Sequence, residues 1–201
     1  MTVNEQRSKS NNEELAKKTQ FCVGILGAGQ LARMLSLSAA PLGIRTVCLD
    51  PTKNACANQV TSVIQANFDD EQALRQFANR ADVITVETEN IPLATIDFLS
   101  SHKTIYPGRL AIETAQDRLL EKTLCRHLGI ATPSFKAVNT LDELQHALLD
   151  IGTPAIIKTR RFGYDGKGQV LVNQLSDAIN AWEQLPQQDL IVEQKIDFDY
   201  V

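Results

Sequence analysis

Phe21-Cys22-Val23-Gly24-Ile25-Leu26-Gly27-Ala28-Gly29-Gln30-Leu31-Ala32-Arg33-Met34 is the stretch that decides the fold. Its first six residues are a continuous apolar run, the pattern of a parallel strand buried on both faces. A glycine turn follows at once, and residues 35–42 continue with helical character. Strand, turn and helix in this order predict a βαβ unit. The second strand, Thr46-Val47-Cys48-Leu49-Asp50, ends in an acid about twenty positions after the glycines, as in dinucleotide-binding units. Ala32, however, stands at the third glycine position, and the aliphatic rhythm of a nicotinamide fingerprint is missing. By itself the motif says that a helix N-terminus is open to an anion, without saying which one.

Further along, residues 60–65 read as a strand, 69–79 as a helix opened by acids, and 82–86 as another buried strand. Glu87-Thr88-Glu89-Asn90 then falls at a strand's carboxyl end, where open α/β sheets place their ligands. Solvated surface is the competing reading of such paired carboxylates. A helix over 91–101 and a short strand over 104–106 complete a Rossmann-like parallel sheet.

The pattern over 109–129 predicts one helix, with Leu119, Leu120, Leu124 and Leu128 as its apolar positions and a glycine stop. Gln116-Asp117-Arg118-Leu119-Leu120-Glu121-Lys122 reads as its solvent-facing charged centre. Ala131-Thr132-Pro133 marks a boundary. Strands over 135–138, 154–158, 170–172 and 190–194 and helices over 141–151 and 176–185 follow, an α+β pattern.

Between two of these strands, residues 158–169 hold three glycines and four cationic side chains, Lys158, Arg160, Arg161 and Lys167. Glycine lets backbone N–H groups approach an anion closely, and the cations neutralise its charge. Such a loop suits a polyphosphate, yet it lacks Walker A spacing and a following helix. A flexible hairpin tip with solvated charges is the alternative.

Composition narrows the function classes. A net charge of -4 and a pI near 5.4 argue against a general nucleic-acid binder. No apolar run approaches the roughly 20 residues that cross a bilayer. Residues 1–20 form a polar extension with no signal-peptide core, read as disordered or loosely helical. Cys22, Cys48, Cys56 and Cys125 are scattered without zinc spacing, which fits free thiols in a reducing cytoplasm.

With these motifs in place, the sequence resembles the ATP-grasp enzymes of purine synthesis, in particular the branch that carboxylates aminoimidazole ribonucleotide. The glycine turn 27–34, Glu87-Thr88-Glu89-Asn90, Gln116-Asp117-Arg118 with Glu121-Lys122, and Lys158 with Gly163-Tyr164-Asp165-Gly166-Lys167-Gly168-Gln169 carry the resemblance from Phe21 onward. It implies a Rossmann-like (pre-ATP-grasp) sheet domain over 21–109, a linking helix over 110–132, and over 133–201 a small α+β ATP-grasp lid domain and the start of a truncated ATP-grasp core. It also implies ATP and Mg2+ as cofactors, aminoimidazole ribonucleotide and bicarbonate as substrates, and a homodimer at full length.

Residue by residue, the resemblance puts Arg118 and Lys158 on ATP phosphates, with Lys158 also acting on the charge that shifts during transfer. Gly163, Tyr164, Asp165, Gly166, Lys167, Gly168 and Gln169 would be a lid, Tyr164 also serving bicarbonate. Glu193, Gln194, Lys195 and Ile196 would be the adenine hinge, while Gln30, Leu31 and Glu87 would contact the ribonucleotide. Metal ligands are expected beyond Val201, so that this chain alone would not turn over. Val201 stands eight residues after Glu193, where the family carries a glutamate for the ATP ribose. Formate-dependent glycinamide ribonucleotide transformylase, a non-catalytic nucleotide-binding module and a nicotinamide oxidoreductase are the alternatives. The transformylase carries an acid where Gln30 stands.

Overall fold

The computed structural model describes residues 20–163, 167–187 and 189–197. The expected extension lies outside them except for Gln20, as do Tyr164, Asp165, Gly166 and Val201. The chain divides into two compact units, Met1–Ile112 and Glu113–Val201.

In the first unit, β1 (Cys22–Leu26), β2 (Arg45–Asp50), β3 (Ser62–Gln65), β4 (Val83–Val86) and β5 (Ile105–Tyr106) form a parallel sheet in the order β3-β2-β1-β4-β5. The crossovers are α1 (Gln30–Ala39), α2 (Glu71–Arg80) and α3 (Leu93–Ser100). Chain progression reverses between β1 and β4, which opens a crevice at their carboxyl ends. The expected third strand begins later, at Ser62, because residues Cys56–Gln59 coil into a 3-10 turn. Asp70 caps α2, its carboxylate accepting from the Ala73 N–H at 3.0 Å.

The two faces of this sheet are packed differently. One carries Leu26, Val47, Leu49 and Ile84 against Phe77, Leu74, Ile96 and Leu99, all buried. Gly24 makes this possible, since a Cβ there would stand 2.8 Å from the Phe77 ring. The other face is lined by small groups, among them Ala28, Ala32, Cys48, Ala55 and Ala57. Onto it α1 lays Ala32, Ser36 and Ala39, while Leu31, Met34 and Leu35 on the helix and Leu42 just beyond it stay exposed. An apolar groove of about 240 Å³ runs beside them, lined by Val23, Leu35, Leu42 and Ile44 among others.

The second unit is an antiparallel sheet in the order β6-β9-β7-β8, made of β6 (Phe135–Val138), β7 (Ala155–Thr159), β8 (Gln169–Val172) and β9 (Leu190–Gln194). Two helices, α6 (Leu141–Ile151) and α7 (Ala178–Glu183), cover the face bearing Val138, Ala155, Ile157, Val172 and Val192. Thr140 caps α6 as its position predicts, accepting from the Glu143 N–H. Period-2 alternation turns Ile156, Lys158 and Glu193 to the opposite face.

The single helix expected over 109–129 is in fact two, α4 (Arg109–Ala115) and α5 (Arg118–His127). Asp117 breaks it by capping α5, accepting from the Leu119 N–H at 2.8 Å. Gln116 and Asp117 are buried, at 4% and 7% exposure, so the solvent-facing reading fails at both. The apolar reading of α5 fails too, with Leu120, Leu124 and Leu128 exposed. Among the described residues, no helix is long and apolar enough to cross a membrane.

Candidate functional site

The crevice of the first unit is built from the turn after β1 and the residue after β4. Glu87 reaches across to the start of α1, where its Oε2 accepts from the Gly29 N–H at 2.7 Å and its Oε1 from the Leu31 N–H at 3.2 Å. The helix N-terminus that the glycine motif left open is therefore occupied by a carboxylate of the same chain. Glycine is required at the turn: a Cβ at Gly29 would lie 2.4 Å from Glu87 Oε1, and Gly27 has a φ of +100°. Asp50, the acid that a dinucleotide reading turns toward a ribose, instead accepts from Ala28 N–H at 3.0 Å and Thr52 N–H at 2.7 Å. Gln30 places its Oε1 3.0 Å from Cys56 Sγ.

Two carboxylates, Glu87 and Asp50, reach the crevice floor. Burial pushes the Cys48 thiol up to about 12, and the Glu87 and Asp50 charges add to that. Gln30, Leu31 and Glu87 are brought together here.

In the second unit, three elements converge on Glu193, which is 4% exposed. Its Oε2 receives Lys158 Nζ from β7 at 2.9 Å and Lys122 Nζ from α5 at 3.2 Å. Its Oε1 is buried without a partner among the described residues. Two ammoniums on one carboxylate leave the group with net positive charge, so it still attracts an anion. Arg118 donates from Nη1 to the Thr159 carbonyl at 2.7 Å and from Nη2 to the Gly163 carbonyl. That uses two of the five guanidinium donors and ties α5 to the base of the β7–β8 hairpin.

Around this base the chain is packed tightly. A Cβ on Gly168, whose φ is +69°, would meet Thr159 Oγ1 at 2.7 Å, and one on Gly163 would meet the same atom at 3.0 Å. Thr159 Oγ1 itself is buried without a hydrogen bond among the described residues. Arg160 pairs with Asp117, and Arg161 donates to Gln116 Oε1 at 2.8 Å. Burial opposes charge on Asp117, but the Arg160 hydrogen bond, the Leu119 N–H and the Arg160 charge outweigh it and hold the carboxyl below its ordinary value.

Of the residues implied as nucleotide contacts, Arg118, Lys158, Gly163, Gly168 and Glu193 come together here. Gln169 opens β8 opposite Lys158, and Lys167 precedes it. Gln194 ends β9, followed by Ile196 and by Lys195, whose Nζ pairs with Asp197. Tyr164, Asp165 and Gly166 lie outside the described residues. Lys122 and Thr159 are not among the contacts that the resemblance implies. Lys122 had a signal, standing one helical turn after Arg118, whereas Thr159 had none. No cluster of three or more His, Cys, Asp or Glu suited to a metal occurs among the described residues.

A parallel sheet with a glycine turn at its switch point, followed by an antiparallel sheet with a cationic hairpin, defines the class. Residues 21–116 match the ribonucleotide synthetase preATP-grasp domain and residues 123–200 match the ATP-grasp domain. Within that class it resembles the N5-carboxyaminoimidazole ribonucleotide synthases. It is 40% identical over 176 residues to the one from Pseudomonas aeruginosa, a match covering 88% of this chain and 49% of the relative. The crystal structure of the Thermus thermophilus synthetase superposes with a TM-score of 0.81 at 42% identity, over 88% of this chain and 48% of that one. The Staphylococcus aureus synthetase complexed with ADP gives 0.84 at 36%, over 90% and 50%. An Aspergillus clavatus synthase in complex with ADP and 5-aminoimidazole ribonucleotide gives 0.79 at 31%, over 90% and 48%. The chain spans about half the length of the relatives it matches.

Proposed function

We propose that this chain supplies the ribonucleotide-binding crevice and part of the ATP site of an enzyme that carboxylates 5-aminoimidazole ribonucleotide. In this reading ATP phosphorylates bicarbonate, and the resulting carboxyphosphate delivers its carboxyl to the exocyclic amine, directly or as released CO2, with loss of phosphate. The observation that carries it is the pair of ammoniums, Lys122 and Lys158, held on one oxygen of Glu193 beside the glycine-bearing hairpin.

Lys158 and Lys122 neutralise ATP phosphates, and Lys158 follows the charge as it shifts during transfer. Arg118 anchors the hairpin and offers its remaining donors to a phosphate. Gly163 and Gly168 let the residues between them close over the triphosphate, with Tyr164 assigned to bicarbonate. Glu193 Oε1 accepts from the adenine amine, and Gln194, Lys195 and Ile196 continue that hinge. Glu87 accepts from hydroxyls or the amine of the ribonucleotide, with Gln30 and Leu31 beside it. Its carboxylate at the α1 N-terminus directs the substrate phosphate elsewhere. Mg2+ would supply charge neutralisation on the ATP phosphates in such chemistry, and the described residues contribute no cluster of three or more His, Cys, Asp or Glu for it. A cytoplasmic setting and a homodimer of the whole protein belong to the same reading.

Two measurements test it. Titrating a fluorescent ATP analogue into the 201-residue chain should show saturable binding that Lys158→Ala weakens about tenfold or more. In the full-length protein, phosphate release should require ATP, bicarbonate and aminoimidazole ribonucleotide together. Turnover with formate and glycinamide ribonucleotide would assign the transformylase instead, and tight NADH binding would sink both.

A further inference from the structure

The amino-terminal end of the parallel sheet, the end opposite Gln30 and Glu87, carries a second concavity. It is a cavity of about 570 Å³ bounded by the first residues of β1, β2 and β3 (Cys22, Arg45 and Ser62) and by Arg80 in the last turn of α2. Thr46, Thr61 and Asn79 also line it. About 13 Å of strand separates Cys22 from Leu26 at the crevice, so the two sites are distinct. The volume lies within the roughly 300–1,000 Å³ of small-molecule sites.

Its charge is unbalanced. Arg45 and Arg80 both line this cavity, one at the start of β2 and the other in the last turn of α2. Neither forms a salt bridge among the described residues. Arg80 Nη2 donates to Ser62 Oγ at 2.7 Å and Arg45 Nη2 to the Gln20 carbonyl at 3.3 Å, leaving most of their donors unused. Asp82, whose Oδ2 accepts from the Cys22 N–H at 2.8 Å, contributes one opposing charge against the two guanidiniums. The Thr46 and Thr61 hydroxyls lie 2.8 Å apart, with the Thr61 hydroxyl donating to the Thr46 carbonyl at 2.7 Å.

A plainer role exists for Arg80, since a cation in the last helical turn offsets the helix dipole by about 0.3–1 kcal/mol. It does not extend to Arg45, which opens a strand, and Arg80 Nη2 donates to Ser62 rather than to a helix carbonyl. We propose that this cavity binds a phosphomonoester. The phosphate dianion sits between Arg45 and Arg80 with the Ser62 hydroxyl, where planar guanidinium forks match its oxygens. A polyol portion lies along Thr46, Thr61 and Asn79.

The test is a titration of the 201-residue chain with ribose 5-phosphate, and separately with inorganic phosphate, at fixed ionic strength, followed by backbone amide NMR. Saturable shifts of Cys22, Arg45 and Ser62 are expected. Arg45→Gln or Arg80→Gln should weaken the ester about tenfold, while Lys53→Gln, which removes a surface cation outside the cavity, should leave it unchanged. Circular dichroism verifies folding, and Arg45→Gln carries the test if Arg80→Gln fails to fold. The proposal is overturned if no saturation occurs by about 10 mM, if shifts centre on Gly29 and Leu31, or if Lys53→Gln weakens binding equally. Inorganic phosphate binding as tightly as the ester overturns the assignment to an ester.

Discussion

Glu87 does within the chain what a phosphate does in many dinucleotide-binding folds, satisfying the first N–H groups of a helix. The glycine motif is thereby turned from an anion site into a socket for a side chain fixed 58 residues later in sequence. Gly29→Ala puts a methyl group 2.4 Å from Glu87 Oε1. The carboxylate must then leave, so the variant is expected to melt several degrees lower, a loss of about 1–3 kcal/mol, and to lose ribonucleotide binding in the full-length protein. An unchanged melting temperature would show that Glu87 swings aside freely. Asp117 gives a second, pH-dependent outcome. Its folded pKa lies below the unfolded value, so its contribution is complete above the usual aspartate pKa of about 3.9 and fades as pH falls through the lower, folded value. Denaturant titrations should find Asp117→Asn less stable than the wild type at pH 7 by about 1–3 kcal/mol, from the lost charge-assisted bond to Arg160, which among the described residues keeps only Asp189 at 3.7 Å. The gap should narrow below about pH 4.

Elements differ in how plainly the sequence announces them. The central strand β1 is visible as an apolar run because burial on both faces restricts its side chains, and Leu190–Gln194 also matches to the residue. The break at Gln116-Asp117 was not visible. Asp117 is a good cap, but the arginine that holds it in place is 43 residues away, beyond any local pattern. Nor does periodicity reveal that α1 buries its small residues and exposes its large ones. That choice belongs to the surface beneath it, which Ala28, Ala55 and Ala57 make shallow. For the same reason Ala32→Leu is expected to cost about 1–3 kcal/mol by overpacking, whereas Met34→Gln on the exposed side should stay within about 0.5 kcal/mol. Urea unfolding of the two variants compares them directly. At the candidate sites, residue types were legible and partners were not: Lys158 and Glu193 stood out at strand ends, but their meeting with Lys122 depends on three elements folding together.

Across the whole molecule, each unit closes its own core, and the chain spans about half the length of its relatives. The outer side of α1 leaves apolar side chains in solvent. Leu35 and Leu42 line an apolar groove at 46% and 73% exposure, and Leu31 and Met34 on the same helix are exposed as well, more than the single apolar side chains normal on a surface. The folded chain should therefore light up an environment-sensitive dye such as ANS at temperatures well below its melting transition, a signal ordinarily taken for a molten state. Sulfate, which penalises wetted hydrocarbon, should salt the chain out early. Replacing Leu35 and Leu42 with glutamine should dim the dye and delay precipitation with the melting temperature unchanged. If the fluorescence persists in that variant, the dye is reporting loosened packing elsewhere, and the near-UV circular dichroism would show it.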